Sequence, residues 1–272
     1  MNEKAYYESV NTKNELKLRE LQKELPPFCR EFFIGMKASV SSRTLLAYAY
    51  DLGIFFDFIH QNNPICAKKP VNEFTIDLLD HISPMDIEEY LDYLRVYEKD
   101  GVAHTNDERG ISRKLASLRS FYNYYFCKEM ITKNPAQLVR MPKKHEKTIT
   151  RLDVDEVAML LDEVESGEKL TERQQKFHEQ TKCRDLAIMT LLLGTGIRVS
   201  ECVGLDITDV DFRNNGIKVH RKGGAEVVVY FGDEVRTALL NYLEERNTIE
   251  AVEGSTNALF LSLQKKRIGV RA

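Results

Sequence analysis

Arg184-Asp-Leu-Ala-Ile-Met-Thr-Leu-Leu-Leu-Gly-Thr-Gly-Ile-Arg-Val-Ser-Glu201 is the stretch whose reading decides the fold. Leu186 to Leu193 is an apolar run long enough for one buried helix. Gly194-Thr-Gly196 then supplies a turn that glycine permits, and a second helix starts beside Arg198. Beyond it the apolar residues change from helical spacing to alternation: Val210 and Phe212, a turn at Asn214-Asn215-Gly216, Ile217 and Val219, a turn at Lys222-Gly223-Gly224, then Val227 to Tyr230. That pattern predicts a small antiparallel sheet with Lys222 at a hairpin tip. Asp233 to Arg246 returns to helix on Val235, Leu239, Leu240 and Leu243, and Leu259 to Leu261 reads as one more short strand.

Working outward, the 272 residues suggest two domains at about 150 residues each. With 43% hydrophobic and 30% charged residues the chain has the composition of a foldable protein and not of a disordered one. No apolar run approaches the roughly 18 to 20 residues of a membrane span, and Met1 to Val10 lacks a signal-peptide pattern, so a cytoplasmic protein with no membrane partner is expected. Cysteines at 29, 66, 127, 183 and 202 form no C-x-x-C pair, which argues against a disulfide framework and a structural zinc site.

The net charge of −3 conceals a segregation. Arg109 to Arg151 holds eleven Lys or Arg against Glu129 and Glu146, whereas Lys68 to Glu108 holds four basic and eleven acidic residues. A basic face directed at phosphates fits this, as does a solvated helical surface of mixed sign. Helical spacing dominates this half: Leu45, Leu46, Ala49, Leu52, Phe55, Phe56 and Ile59 form one stripe. Ser83-Pro84 starts a helix expected to run from about 84 to 100, with Gly101 as its stop. A third is expected over about 107 to 130, with Ile111, Leu115, Leu118, Tyr122 and Tyr125 buried and Arg113, Lys114, Arg119 and Lys128 on the surface. Residues 142–150, polar and introduced by Met141-Pro142, read as a linker. A second unit opens at Asp153, which forms a capping-box pattern with Glu156. The division is therefore residues 1–141, a linker at 142–150, and residues 151–272.

Phosphate-loop and dinucleotide motifs are absent, and the six His form no metal-ligand spacing, so no cofactor and no metal is expected. The informative pair is Arg198, after a tight turn, and Lys222, on a glycine-rich hairpin. Guanidinium suits bidentate recognition of phosphate oxygens, and an ammonium near a leaving oxygen can donate a proton. Taken singly, each also reads as a solvated surface cation.

Thr195-Gly-Ile-Arg-Val-Ser-Glu201, with Arg184-Asp-Leu-Ala-Ile188, Leu205 and Asp209-Val-Asp211, resembles the first-arginine box of the tyrosine recombinases, the phage integrase family. Val219-His-Arg-Lys-Gly-Gly-Ala-Glu226 resembles the lysine-bearing hairpin, and Thr44 to Phe58, Arg113 to Tyr122 and Asn134-Pro-Ala136 resemble the core-binding domain. Within the family the chain is most similar to the Xer type, the XerS-like form in particular. The resemblance implies a mainly α fold with a small antiparallel sheet: a helical-bundle, SAM-like core-binding domain followed by a mixed α+β catalytic domain. It places Arg198 and Lys222 as catalytic residues with Glu201 in support, and it implies DNA contact by Arg113, Lys114, Arg119, Lys143 and Lys144. A tyrosine would attack a DNA phosphate, leaving a 3' phosphotyrosyl bond. Implied partners are a double-stranded recombination site, further copies of the chain in a tetramer on DNA, and a septal DNA translocase in chromosome dimer resolution.

The family also carries a His-x-x-Arg and a nucleophilic tyrosine after the lysine. No His-x-x-Arg occurs here, and Tyr230 and Tyr242, the tyrosines after Lys222, do not match the nucleophile's position. The expectation is a C-terminally incomplete recombinase, inactive alone. The alternatives are a non-catalytic DNA-binding protein on the same scaffold, a mobile-element integrase, and a helical interaction protein whose basic stretch is only solvated.

Overall fold

A computed structural model describes residues 6–271 apart from Ile65, Asp100, Lys144, Glu146, Lys147, Ile149, Lys222 and Gly223. The chain divides into two compact units, Tyr7–Thr148 and Ile149–Ala272, with Met1–Tyr6 grouped with the latter. The architecture is mainly α with two small antiparallel sheets.

In the first unit, α1 (Tyr6–Leu21) and α2 (Cys29–Met36) precede the long α3 (Ser42–Asn62). Ser41 caps α3 by accepting the Thr44 N–H at 3.3 Å, and Leu45, Ala49, Leu52, Phe55, Phe56 and Ile59 are buried along one stripe. After the one-turn α4 (Leu78–His81), α5 (Pro84–Tyr93) starts on a reciprocal box between Ser83 and Asp86. Its end corrects the sequence expectation. The helix stops at Tyr93, and residues up to 105 form a hairpin, β1 (Val96–Lys99) paired with β2 (Val102–Thr105). Gly101, at a φ of 73°, is a hairpin residue and not a helix stop. The Asp-Gly pair at 100–101, between Val96-Tyr-Glu-Lys99 and Val102-Ala-His-Thr105, carries the stronger local signal, that of a hairpin turn. α6 (Glu108–Cys127) and the single turn α7 (Pro135–Leu138) complete the unit. Ile111, Leu115, Leu118, Tyr122 and Tyr125 are all buried as expected. Phe121 lies at the centre, edge-on to Phe32, Phe56 and Tyr125 at 5.2, 6.0 and 5.1 Å.

In the second unit, Asp153 and Glu156 form the expected box at the start of α8 (Val154–Ser166), which ends on Gly167. α9 (Glu172–Thr195) leads into the short α10 (Val199–Cys202). The sheet has the order β3 (Val210–Asp211), β4 (Gly216–His220), β5 (Glu226–Tyr230), with Ile217 opposite both Val210 and Val229. α11 (Asp233–Arg246) packs against α9, and Ala187, Leu191, Ile217, Val219, Leu239 and Tyr242 share one core. Leu259 to Leu261 are buried but do not form a strand: isolated bridges join Asp206 to Ala258 and Leu261 to Arg267.

Phe121→Ala should lower the stability of the first unit by about 3–5 kcal/mol, measured by urea unfolding, because three flanking rings cannot close the space.

Candidate phosphate clamp and nucleic-acid interface

Arg198 is positioned by the end of the helix before it. The last turns of α9 are anchored by buried Ala187 and Leu191, and Gly196, at a φ of 64°, ends the helix in the left-handed region where a side chain would be strained. Ile197 is buried and pins the turn, leaving Arg198 as the N-cap of α10 with 67% of its side chain exposed. Glu201, one turn on, is 5% exposed. One carboxylate oxygen accepts the Arg198 backbone N–H at 2.8 Å, and the other accepts guanidinium Nη1 at 2.9 Å. The carboxylate thus caps the helix and orients the cation, while the rest of the guanidinium, Nε and Nη2, has no protein partner among the described residues. A half-held, solvent-facing guanidinium can take a phosphate oxygen.

Three further arginines brace the chain around the end of α10, a role the sequence does not mark. Arg267 donates to the carbonyls of Val203 and Leu205 at 3.2 and 2.8 Å and pairs with the Asp206 carboxylate. Leu259 N–H meets the Leu205 carbonyl at 3.0 Å, and Ile207 N–H meets that of Asn257 at 2.9 Å. Buried Arg246 holds this second segment through the carbonyls of Thr256 and Ala258 at 2.8 and 3.1 Å, and Arg184 holds that of Leu261 at 2.9 Å. The carbonyls named here lie 10 or more residues from the arginines that hold them, so no local spacing marks the bonds.

The hairpin between β4 and β5 carries a cross-strand cluster: His220 Nδ1 lies 3.3 Å from Glu226, and Lys218 Nζ lies 3.7 Å from Glu226 and 3.9 Å from Asp209. Lys222 itself lies outside the described residues. The two tyrosines beyond it differ sharply. Tyr230 is 69% exposed on β5, whereas Tyr242 is buried, accepts the Leu261 N–H at 3.1 Å, and has its pKa raised by burial.

On α6, Arg113, Lys114 and Arg119 have internal partners. Arg113 makes a two-pronged pair with buried Asp51 at 2.5 and 2.7 Å, and Ser117 donates to the same carboxylate at 2.7 Å. About half of the Arg113 side chain, 52%, is exposed. Lys114 corrects the surface expectation: it is buried, donates to Asn106 at 2.6 Å, and burial lowers its pKa. It stands three residues after Ile111 and one before Leu115, at the core's border. Arg119 is half-buried and donates to the carbonyls of Ala136 and Val139, at 3.0 and 2.5 Å, holding α7. Lys143 is exposed, and Lys144 lies outside the described residues. Among the described residues no cluster of three His, Cys, Asp or Glu could hold a metal ion, and no helix is long and apolar enough to cross a membrane.

Residues 150–272 match the model of the phage integrase family. The chain is 32% identical over 256 residues to the tyrosine recombinase XerC of Caldanaerobacter subterraneus subsp. tengcongensis, covering 90% of this chain and 66% of that protein, so it spans a little under two thirds of that relative. It is 30% identical over 276 residues to the tyrosine recombinase XerS of Streptococcus uberis, covering 90% of this chain and 75% of the relative. In fold it resembles the XerH site-specific recombinase in its post-cleavage complex with palindromic difH substrate, with a TM-score of 0.58 at 16% identity, covering 84% of this chain and 59% of that one.

Arg119→Ala should cost about 1–3 kcal/mol of stability by leaving the carbonyls of Ala136 and Val139 without their donor. Glu201→Ala should cost about 1 kcal/mol from the lost helix cap. Chemical denaturation of each variant against the parent chain checks both.

Proposed function

The chain belongs to the phage integrase family of tyrosine recombinases, and from that premise we propose that it acts in site-specific DNA recombination of the Xer kind, with Arg198 holding the scissile phosphate. The observation that carries this reading is the pose of Arg198, two-thirds exposed and fixed by a buried carboxylate. Its guanidinium neutralises charge growing on the nonbridging oxygens as a tyrosine hydroxyl attacks phosphorus and the 5' oxygen leaves. Glu201 is a positioning residue for it, and Lys222 delivers a proton to the leaving oxygen. The energy of the broken ester is kept in the phosphotyrosyl bond, so rejoining needs no nucleotide. Loss of one such charge-stabilising donor costs about 3 kcal/mol of barrier.

A polypeptide of these 272 residues supplies this clamp without its nucleophile: Tyr242 is packed in the core and hydrogen-bonded, Tyr230 is exposed on β5 but does not match the nucleophile's position in the family, and the sequence holds no His-x-x-Arg. On its own it binds recombination-site DNA and does not join it covalently. The physiological setting we favour is resolution of chromosome dimers by a tetramer on two sites, with a septal DNA translocase as partner. Occupancy of a site without cleavage is the second reading, and the burial of Tyr242 favours it.

Of the expected DNA contacts Arg113, Lys114, Arg119 and Lys143, exposure supports Arg113 and Lys143, while Lys114 and Arg119 serve the fold. Lys143→Glu should weaken binding to all DNA sequences alike, and the log of affinity should fall with the log of salt at a slope of about −0.9 per phosphate neutralised. A flat salt response removes the electrostatic reading. Incubation with a nicked recombination-site duplex, followed by a denaturing gel, should give no shifted protein band. A covalent band would show that these residues include a working nucleophile.

A further inference from the structure

The cleft between α1 and α2 is cationic and has no part in the clamp. It encloses about 470 Å³ and is lined by Arg19, Lys23, Arg30 and Lys37, with Glu15 as its one acid, paired to Lys37 at 2.6 Å. Along one side, Arg30, Ile34 and Lys37 follow one another at helical spacing of four and three residues, and Ile34 is 59% exposed. An apolar knob flanked by cations is thus presented to solvent.

The reverse pattern stands on α8. This helix has five acids, no basic residue and no buried residue. Its exposed face runs Asp155, Met159, Asp162, again at spacings of four and three, and Met159 is 61% exposed. Seated against α2 in either direction, Met159 meets Ile34 while each aspartate meets a cation, and Arg19 and Lys23 remain for exposed Glu165 three residues after Asp162.

We propose that this cleft is the docking site for α8 of a second copy of the chain. Matched spacing and opposite charge select that occupant, since apolar contact supplies the attraction while the flanking charges set register and exclude like-charged faces. A two-fold pair makes the contact twice, each copy giving its α8 and receiving its partner's.

Sedimentation equilibrium of the whole 272-residue chain without DNA tests this independently of recombination. The parent chain should self-associate reversibly, and more weakly as salt rises. Arg30→Glu with Lys37→Glu, and separately Asp155→Lys with Asp162→Lys, should each weaken association at least about tenfold. An equimolar mixture of the two variants should restore it, because both contacts then pair opposite charges. All four positions are exposed, and far-UV circular dichroism checks that each variant is folded. A parent chain monomeric throughout, as it is if α8 docks within its own chain, overturns the proposal. So does salt-independent association, unchanged association of either variant, or a folded mixture that stays monomeric.

Discussion

The carboxylate of Glu201 is the constraint on which the candidate site depends. It is buried at the start of α10, and its two oxygens take the backbone N–H and the guanidinium of Arg198. A buried carboxylate without such partners would be costly, so the arginine and the acid hold each other in place. The helix start, the direction of the guanidinium and the neutralisation of a buried charge are one arrangement. The left-handed turn at Gly196 makes it reachable, by ending α9 so that Arg198 emerges at a surface and not in a helix interior.

Guanidinium groups recur in this protein as substitutes for secondary structure. Arg119 holds α7, Arg246 and Arg184 hold the segment around residues 256–261, and Arg267 joins that segment to the end of α10. Each carries several donors in a fixed plane, which suits carbonyls that have no strand or helix partner. Counting basic residues along the chain therefore overstates the charge available to an anionic partner, because part of it is turned inward.

What was legible in the sequence was local. The caps at Ser83 and Asp153, the apolar lines of α3 and α6, the glycine turn before Arg198 and the alternation of β4 each depend on residues a few positions apart. The hairpin at 96–105 is equally local, yet the capping signal at Ser83 favours a longer helix with Gly101 as its stop, and the two local signals compete. Illegible features needed distant partners: Asp51 lies 62 residues from Arg113, and Arg267 lies 62 from Leu205. The burial of Lys114 was hidden differently, since its position borders the apolar line and only packing decides which side it takes.

That hairpin has nearly every residue open to solvent and is joined to its unit by Tyr97 against Tyr93 near its base and by Lys99 with Asp57 beside its turn. Nothing in the hydrophobic core rests on its tip. It is therefore a natural insertion point: a fluorophore or a small reporter module spliced in beside Gly101 leaves both units whole and gives a handle for watching the molecule in solution.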